Sequence, residues 1–177
     1  MRCHSAILSE CGILHRNIST NIILVVRPES GHVRGMLIDF DCAVDTEDSE
    51  GEAQTEVAGT HPFMSVLNLE DSPGKRTALD DWESLLYVIC WLGTYGINEH
   101  TRRKEDDSGD DSKPEKLPIR EWRYGSFDEI ALKKRLYLDN EYTFRSAILV
   151  GFNPNMEHWT MLASLALELR ATLIDWE

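Results

Sequence analysis

The stretch Gly12-Ile13-Leu14-His15-Arg16-Asn17-Ile18-Ser19 decides the fold, because it joins a predicted helix to the polar turn of residues 15–21 that precedes a predicted hairpin. On its C-terminal side, residues 22–26 and 33–40 are strand-like apolar runs joined by a turn with Pro and Gly, and together they predict a β-hairpin. On its N-terminal side, apolar residues at helical spacing predict the end of an amphipathic helix that closes at Gly12. These residues are Ile7, Leu8, Cys11 and Leu14.

The segment after the hairpin is strongly acidic. Between Asp39 and Thr60 there are eight acidic residues and no Lys or Arg. Because so much like charge repels itself in a packed element, we expect a loop here.

The rest of the chain predicts helices. Residues 79–92 are the most apolar candidate, with Asp80 or Asp81 as N-cap and Gly93 at the end. Residues 127–138 and 157–174 predict two more helices. The last one carries a stripe of apolar residues that we assign to the core: Trp159, Leu162, Leu165, Leu169 and Leu173. Residues 98–116 hold seven acidic and five basic residues without an aliphatic anchor, and we expect a disordered charged insertion.

Composition excludes several classes of function. Eighteen Lys and Arg against thirty-one Asp and Glu give a net charge of −13, which disfavours nucleic acids and anionic membrane surfaces as partners. No apolar run reaches the roughly 20 residues that span a bilayer. The four cysteines are scattered, as is typical of free thiols in a reducing compartment. We therefore expect an intracellular protein, cytoplasmic or nuclear.

The order and spacing of four motifs carry more information than any one of them. The stretch 12–19 is followed by Leu37-Ile38-Asp39-Phe40-Asp41, by Gly59-Thr60-His61-Pro62-Phe63-Met64-Ser65, and by Asp81-Trp82-Glu83-Ser84-Leu85-Leu86-Tyr87. This set resembles the catalytic loop, the metal-binding segment, the end of the activation segment and the central helix of a protein kinase. The amino-acid sequences of these motifs most resemble those of the fungal-type protein kinases. The resemblance implies a mainly α fold, a kinase-like C-terminal lobe whose short β-hairpin carries the catalytic and metal-binding loops.

The resemblance also implies roles for particular residues. Asn17 stands where the family has its catalytic aspartate, and an amide cannot take up the proton of a substrate hydroxyl. Arg16 belongs to the same loop, His15 is expected to pack as a scaffold residue, and Asp81 is expected to accept hydrogen bonds from the loop backbone.

Two positions are implicated in metal binding by the same resemblance. Asp39 corresponds to a magnesium ligand, and its carboxylate suits that hard cation. The second ligand of the family, an asparagine, falls at Ile22. Asn21 is adjacent, but one residue along an extended segment turns a side chain to the opposite face.

The family uses ATP and Mg²⁺, and we expect little binding of either by this chain. Its 177 residues contain no Gly-x-Gly-x-x-Gly loop and no Val-Ala-x-Lys, and too few residues precede His15 for a five-stranded lobe. We therefore expect residues 1–177 to be a truncated kinase domain without its N-terminal lobe.

Three interpretations remain open from the sequence. The first is a fungal-type Ser/Thr kinase domain acting on a protein substrate, truncated and catalytically impaired. The second is a non-catalytic, pseudokinase-like module that binds a protein partner, or the relic of a gene fragment. The third, a helical scaffold unrelated to kinases, would be favoured if residues 22–26 and 33–40 did not pair. The oligomeric state is not determined by the sequence.

Overall fold

The structure is a computed structural model that describes residues 2–29, 31–46, 59–70, 76–96, 117–155 and 158–175. The chain divides into two compact units, Met1–Leu85 and Leu86–Glu177. Among the described residues, no helix has the length and apolar character required to cross a membrane. The predicted charged insertion at 98–116 lies outside the described residues.

The first unit begins with helix α1, Arg2–Cys11. The helix ends because Gly12 adopts a left-handed backbone with φ of 66°, and its N–H donates to the Leu8 carbonyl at 2.9 Å. The predicted stop at Gly12 is confirmed. Leu14 does not belong to the helical stripe, however, because it lies in strand β1, Ile13–Leu14, where it is buried.

The predicted hairpin is confirmed. Strands β2, Ile23–Val26, and β3, Arg34–Leu37, pair antiparallel with Ile23 opposite Leu37 and Val26 opposite Arg34. This pairing removes the condition under which an unrelated helical scaffold would be favoured.

The first part of the acidic segment is not a simple loop, and that expectation was wrong for two residues. Val44–Asp45 forms strand β4, which pairs antiparallel with β1 and places Leu14 opposite Val44. The pairing uses backbone groups while the Asp45 side chain stays exposed, so the strand forms without burying its charge. Residues 47–58 of the segment lie outside the described part of the chain.

A 3₁₀ turn, His61–Phe63, and the short helix α2, Val66–Leu69, lead to the long helix α3, Ala78–Tyr95. The hydroxyl of Thr77, rather than Asp80 or Asp81, accepts the first free N–H, that of Leu79, at 3.2 Å. The Asp80 carboxylate reaches back to the N–H of Thr77 at 2.8 Å. Our assignment of the N-cap to an aspartate was therefore wrong.

The end of α3 also differs from the prediction. Gly93 lies inside the helix, which continues to Tyr95 and ends before Gly96, whose φ is 71°. A Cβ built at Gly93 would lie 2.4 Å from the Phe152 ring, so this glycine serves close packing rather than helix termination.

The second unit adds a 3₁₀ segment, Pro118–Arg123, and the helices α4, Phe127–Asp139, and α5, Trp159–Asp175. Between these helices lie the single turn Glu141–Thr143, a π-helical turn, Phe144–Ile148, and a 3₁₀ turn, Leu149–Gly151. A capping box between Ser126 and Glu129 starts α4. The predictions of α4 and α5 are confirmed to within two residues.

The core of the second unit is aromatic and aliphatic. Trp91, Trp122 and Phe144 are each 1% exposed, and Leu169 and Leu173 of α5 are buried as predicted. Trp159 is 38% exposed, so its assignment to the core was wrong. Trp159 is the first residue of α5, at the end of the apolar stripe, whereas Leu169 and Leu173 lie in the C-terminal half of the helix.

Candidate functional site

The turn that follows β1 is held by a buried carboxylate. Both oxygens of Asp81 accept backbone hydrogen bonds at 2.9 Å, one from the N–H of His15 and one from the N–H of Arg16. The Asp81 side chain projects from the first turn of α3 and is 2% exposed. Since hydrogen bonds to an ionised acceptor are stronger than neutral ones, this pair fixes the turn to the helix. The hydrogen bonds expected of Asp81 are present.

His15 connects the turn to the segment after β3. Its Nε2 lies 3.0 Å from the Ile38 carbonyl oxygen, and because a carbonyl only accepts, Nε2 carries the hydrogen. The imidazole also packs against Phe40, with ring centroids 4.7 Å apart. These two contacts join the turn to the residues on either side of Asp39. The contacts are those of a buried scaffold side chain.

Two residues of this site have a strained backbone. Arg16 has φ of 65° and Asp39 has φ of 62°. They are two of the three non-glycine residues with positive φ in the described part of the chain. Side chains larger than hydrogen rarely adopt this region, and such residues concentrate at functional sites. The backbone therefore marks the same two loops that the sequence motifs mark.

Asn17 follows this strained turn and faces the segment that begins at Gly59. The Thr60 hydroxyl donates to the Asn17 Oδ1 at 3.3 Å. The structure therefore brings Asn17, which we predicted to correspond to the family's catalytic aspartate, together with the end of the acidic segment. An amide oxygen can accept this hydrogen bond but cannot take a proton from it at neutral pH.

The residues at the predicted metal position do not fit a magnesium site. Asp39 offers an exposed carboxylate. Ile22, which we predicted to stand at the second ligand position, is 4% exposed, has a hydrocarbon side chain and offers no oxygen. Asn21 is exposed and precedes it by one residue. Within the described ranges, no group of three or more His, Cys, Asp or Glu could hold a metal ion.

Two residues that the sequence analysis did not assign to the site hold its third segment. The Ser65 hydroxyl donates to Asp80 Oδ1 at 2.6 Å, and the N–H of Val66 donates to Glu83 Oε1 at 2.8 Å. The clue in the sequence is the run of acids, Asp80, Asp81 and Glu83, at the start of an otherwise apolar helix. Carboxylates at that place bind backbone N–H and hydroxyl groups of neighbouring segments.

The first two turns of α3 therefore organise the whole site. Asp81 holds the turn at His15 and Arg16, whereas Asp80 and Glu83 hold the segment that contains Ser65. The Asn17–Thr60 hydrogen bond connects those two segments directly. All these contacts lie within the unit Met1–Leu85.

Comparison with known proteins agrees with this arrangement. A family model described as "Fungal protein kinase" matches residues 1–93, which include every segment of the site. No curated protein and no solved structure matches the chain. The match covers more than half of the 177 residues, and the chain therefore belongs to the fungal protein kinase family.

Proposed function

We propose that this chain is a fungal-type protein kinase domain that keeps the scaffold of the catalytic loop and has lost Ser/Thr phosphotransfer. The observation that carries the proposal is the amide at position 17, where the family has its catalytic base. The Asn17 amide oxygen accepts a hydrogen bond from the Thr60 hydroxyl at 3.3 Å.

The loss of a base has a known cost. Phosphoryl transfer depends on positioning and charge neutralisation, with a carboxylate that accepts the proton of the attacking hydroxyl. General acid–base catalysis contributes about 10² to 10⁴ in rate. An amide at position 17 cannot supply this contribution, although the backbone that would carry the base is held in place by Asp81.

The metal position supports the same conclusion. Asp39 alone offers a carboxylate there, since Ile22 is buried and apolar. We expect no stable binding of ATP with Mg²⁺ by the 177-residue chain, which also contains no glycine-rich phosphate loop.

A phosphotransfer assay tests the proposal. The chain is incubated with labelled ATP, magnesium and a generic Ser/Thr substrate, and Asp39→Ala serves as the matched control because its side chain is exposed. We expect equal, background incorporation from both proteins. Turnover by the wild-type chain that disappears in Asp39→Ala would show that the site is active and refute the proposal.

Nucleotide binding is measured separately. A ligand that binds the native state raises the melting temperature with concentration. We expect no such rise with ATP and magnesium up to millimolar concentrations, in wild type or in Asp39→Ala.

The retained scaffold with altered chemistry favours a non-catalytic role, in which the chain binds a protein partner rather than a nucleic acid or a membrane. The net charge of −13 supports this choice of partner. We propose an intracellular location, cytoplasmic or nuclear, which is supported by free thiols at Cys11, Cys42 and Cys90.

A further inference from the structure

Strand β2 is an exposed, uncharged sheet edge. Its four residues, Ile-Leu-Val-Val, contain no charge and no proline. Leu24 is 43% exposed, Val25 61% and Val26 38%. In the described part of the chain, β2 pairs with β3 alone. Natural proteins protect such edges with charges, prolines or bulges, and β2 has none of these.

The hydrogen-bond pattern shows which backbone groups of β2 are free. The N–H of Ile38 donates to the Ile22 carbonyl at 3.0 Å, so this pair is of the hydrogen-bonded type. Since hydrogen-bonded and non-hydrogen-bonded pairs alternate along an antiparallel ladder, the backbone groups of Leu24 and Val26 also form hydrogen bonds with β3. The N–H and C=O groups of Ile23 and Val25 therefore point away from β3, toward the open edge.

This edge is complementary to itself. In an antiparallel pairing about a two-fold axis at Leu24, Ile23 of one copy stands opposite Val25 of the other. Both residues have free backbone groups, so each such pair exchanges two hydrogen bonds. Leu24 meets its own counterpart in the closer, non-hydrogen-bonded type of pair.

The charges of the hairpin favour the same antiparallel arrangement. Arg27 and Arg34 flank its tip against the single Glu29, whereas Asp39 and Asp41 lie at its base. An antiparallel pairing places the basic tip of one hairpin beside the acidic base of the other, and a parallel pairing would place like charges together. The uncharged strand also lets two chains of net charge −13 approach without burying a carboxylate.

We propose that two copies of this chain associate through their β2 edges, forming a four-stranded antiparallel sheet in the order β3, β2, β2, β3. The inference does not depend on whether the chain transfers phosphate. One short strand per copy offers less than the roughly 800 Å² per partner of a stable interface, so the dimer is weak and forms with rising concentration.

Amide hydrogen exchange at residue level tests the pairing without any substitution. As the concentration rises from the micromolar to the millimolar range, we expect the amides of Ile23 and Val25 to become protected in step with dimer formation in sedimentation velocity. The Leu24 amide already bonds to β3, so its protection should change little. A chain that stays monomeric over this range, or association without protection of Ile23 and Val25, would overturn the proposal.

Two variants at position 25 distinguish edge pairing from nonspecific association. Val25→Pro removes an N–H that the ladder to β3 does not use, so the hairpin should persist while the dimer weakens at least about tenfold. Val25→Thr keeps the N–H and the β-branched shape and should still dimerise. Equal dimerisation of both variants would place the association elsewhere. If both variants melt like the wild-type monomer but lose dimerisation equally, the association depends on the valine side chain. Either result contradicts the edge-pairing geometry.

Discussion

Replacing Asp81 should loosen the turn at His15 and Arg16 more than replacing either neighbouring acid, Asp80 or Glu83, would. Its carboxylate accepts two backbone hydrogen bonds at 2.9 Å, from His15 and Arg16, and is 2% exposed. Hydrogen bonds to charged groups contribute about 1.5–3 kcal/mol each, and a buried donor left without a partner costs about 1–3 kcal/mol. Water can reach the half-buried Arg16 more readily than the buried His15. We therefore expect Asp81→Ala to lower the free energy of unfolding by about 3 kcal/mol.

Asp81→Asn provides an intermediate case, since one amide oxygen can replace one of the two acceptors and the NH₂ group repels the other N–H. We expect about half the loss of the alanine variant. The matched control is Asp80→Ala, because the Asp80 carboxylate is partly exposed and its partner Thr77 is exposed to water, while the buried Ser65 hydroxyl keeps the hydrogen bond from the Asn68 N–H. That variant should lose about 1 kcal/mol.

The assay combines urea denaturation with amide exchange. For a slope of about 2 kcal/mol/M, the loss expected for Asp81→Ala lowers the urea midpoint by about 1.5 M. Under native conditions the same variant should exchange the His15 and Arg16 amides faster, while Asp80→Ala leaves them protected. If Asp80→Ala costs as much as Asp81→Ala, or if the two amides exchange at wild-type rates without Asp81, the carboxylate does not hold the turn.

Two further predictions concern the second unit. Gly93→Ala places a Cβ 2.4 Å from the Phe152 ring and should lower the free energy of unfolding by an overpacking cost of about 1–3 kcal/mol, and the urea midpoint with it. Gly35→Ala, with no atom within 4 Å, should not, and equal midpoints for the two variants would contradict this packing. Burial raises the pKa of the Cys90 thiol well above its ordinary value. Burial of the neutral thiol therefore contributes fully to stability below the unfolded-state pKa of about 8.5, and this contribution is lost as the pH rises above that value toward the native-state pKa. In the native protein a thiol reagent should label the exposed Cys11 first and Cys90 only on unfolding, and prompt labelling of Cys90 would refute its burial.

Local patterns were sufficient for much of the fold. The stop of α1 at Gly12, the hairpin of residues 22–26 with 33–40, and the helices α4 and α5 depend on glycine conformation and on side-chain periodicity, and both are encoded over a few residues. The ordered motifs also indicated the kinase family, which the match to residues 1–93 confirmed.

Features that depend on distant partners were not predictable in this way. Gly93 is a common type of helix stop by itself, and only the approach of the Phe152 ring explains why the helix passes through it. Val44–Asp45 carries no strand signal in its acidic context, because its pairing uses the backbone of Ile13–Leu14, some thirty residues earlier.

The sequence by itself determined the chemistry available at the site: an amide at position 17, a hydrocarbon at position 22 and a carboxylate at position 39. An amide is not a proton acceptor at neutral pH and a hydrocarbon offers no oxygen to a metal ion, whatever surrounds them. Only the tertiary structure decided how these positions are held together, since the hydrogen bonds from His15 and Arg16 to Asp81 join residues more than sixty positions apart. A buried carboxylate accepts hydrogen bonds from the N–H groups that the fold brings within reach, and these depend on packing rather than on the residues next to it in the sequence.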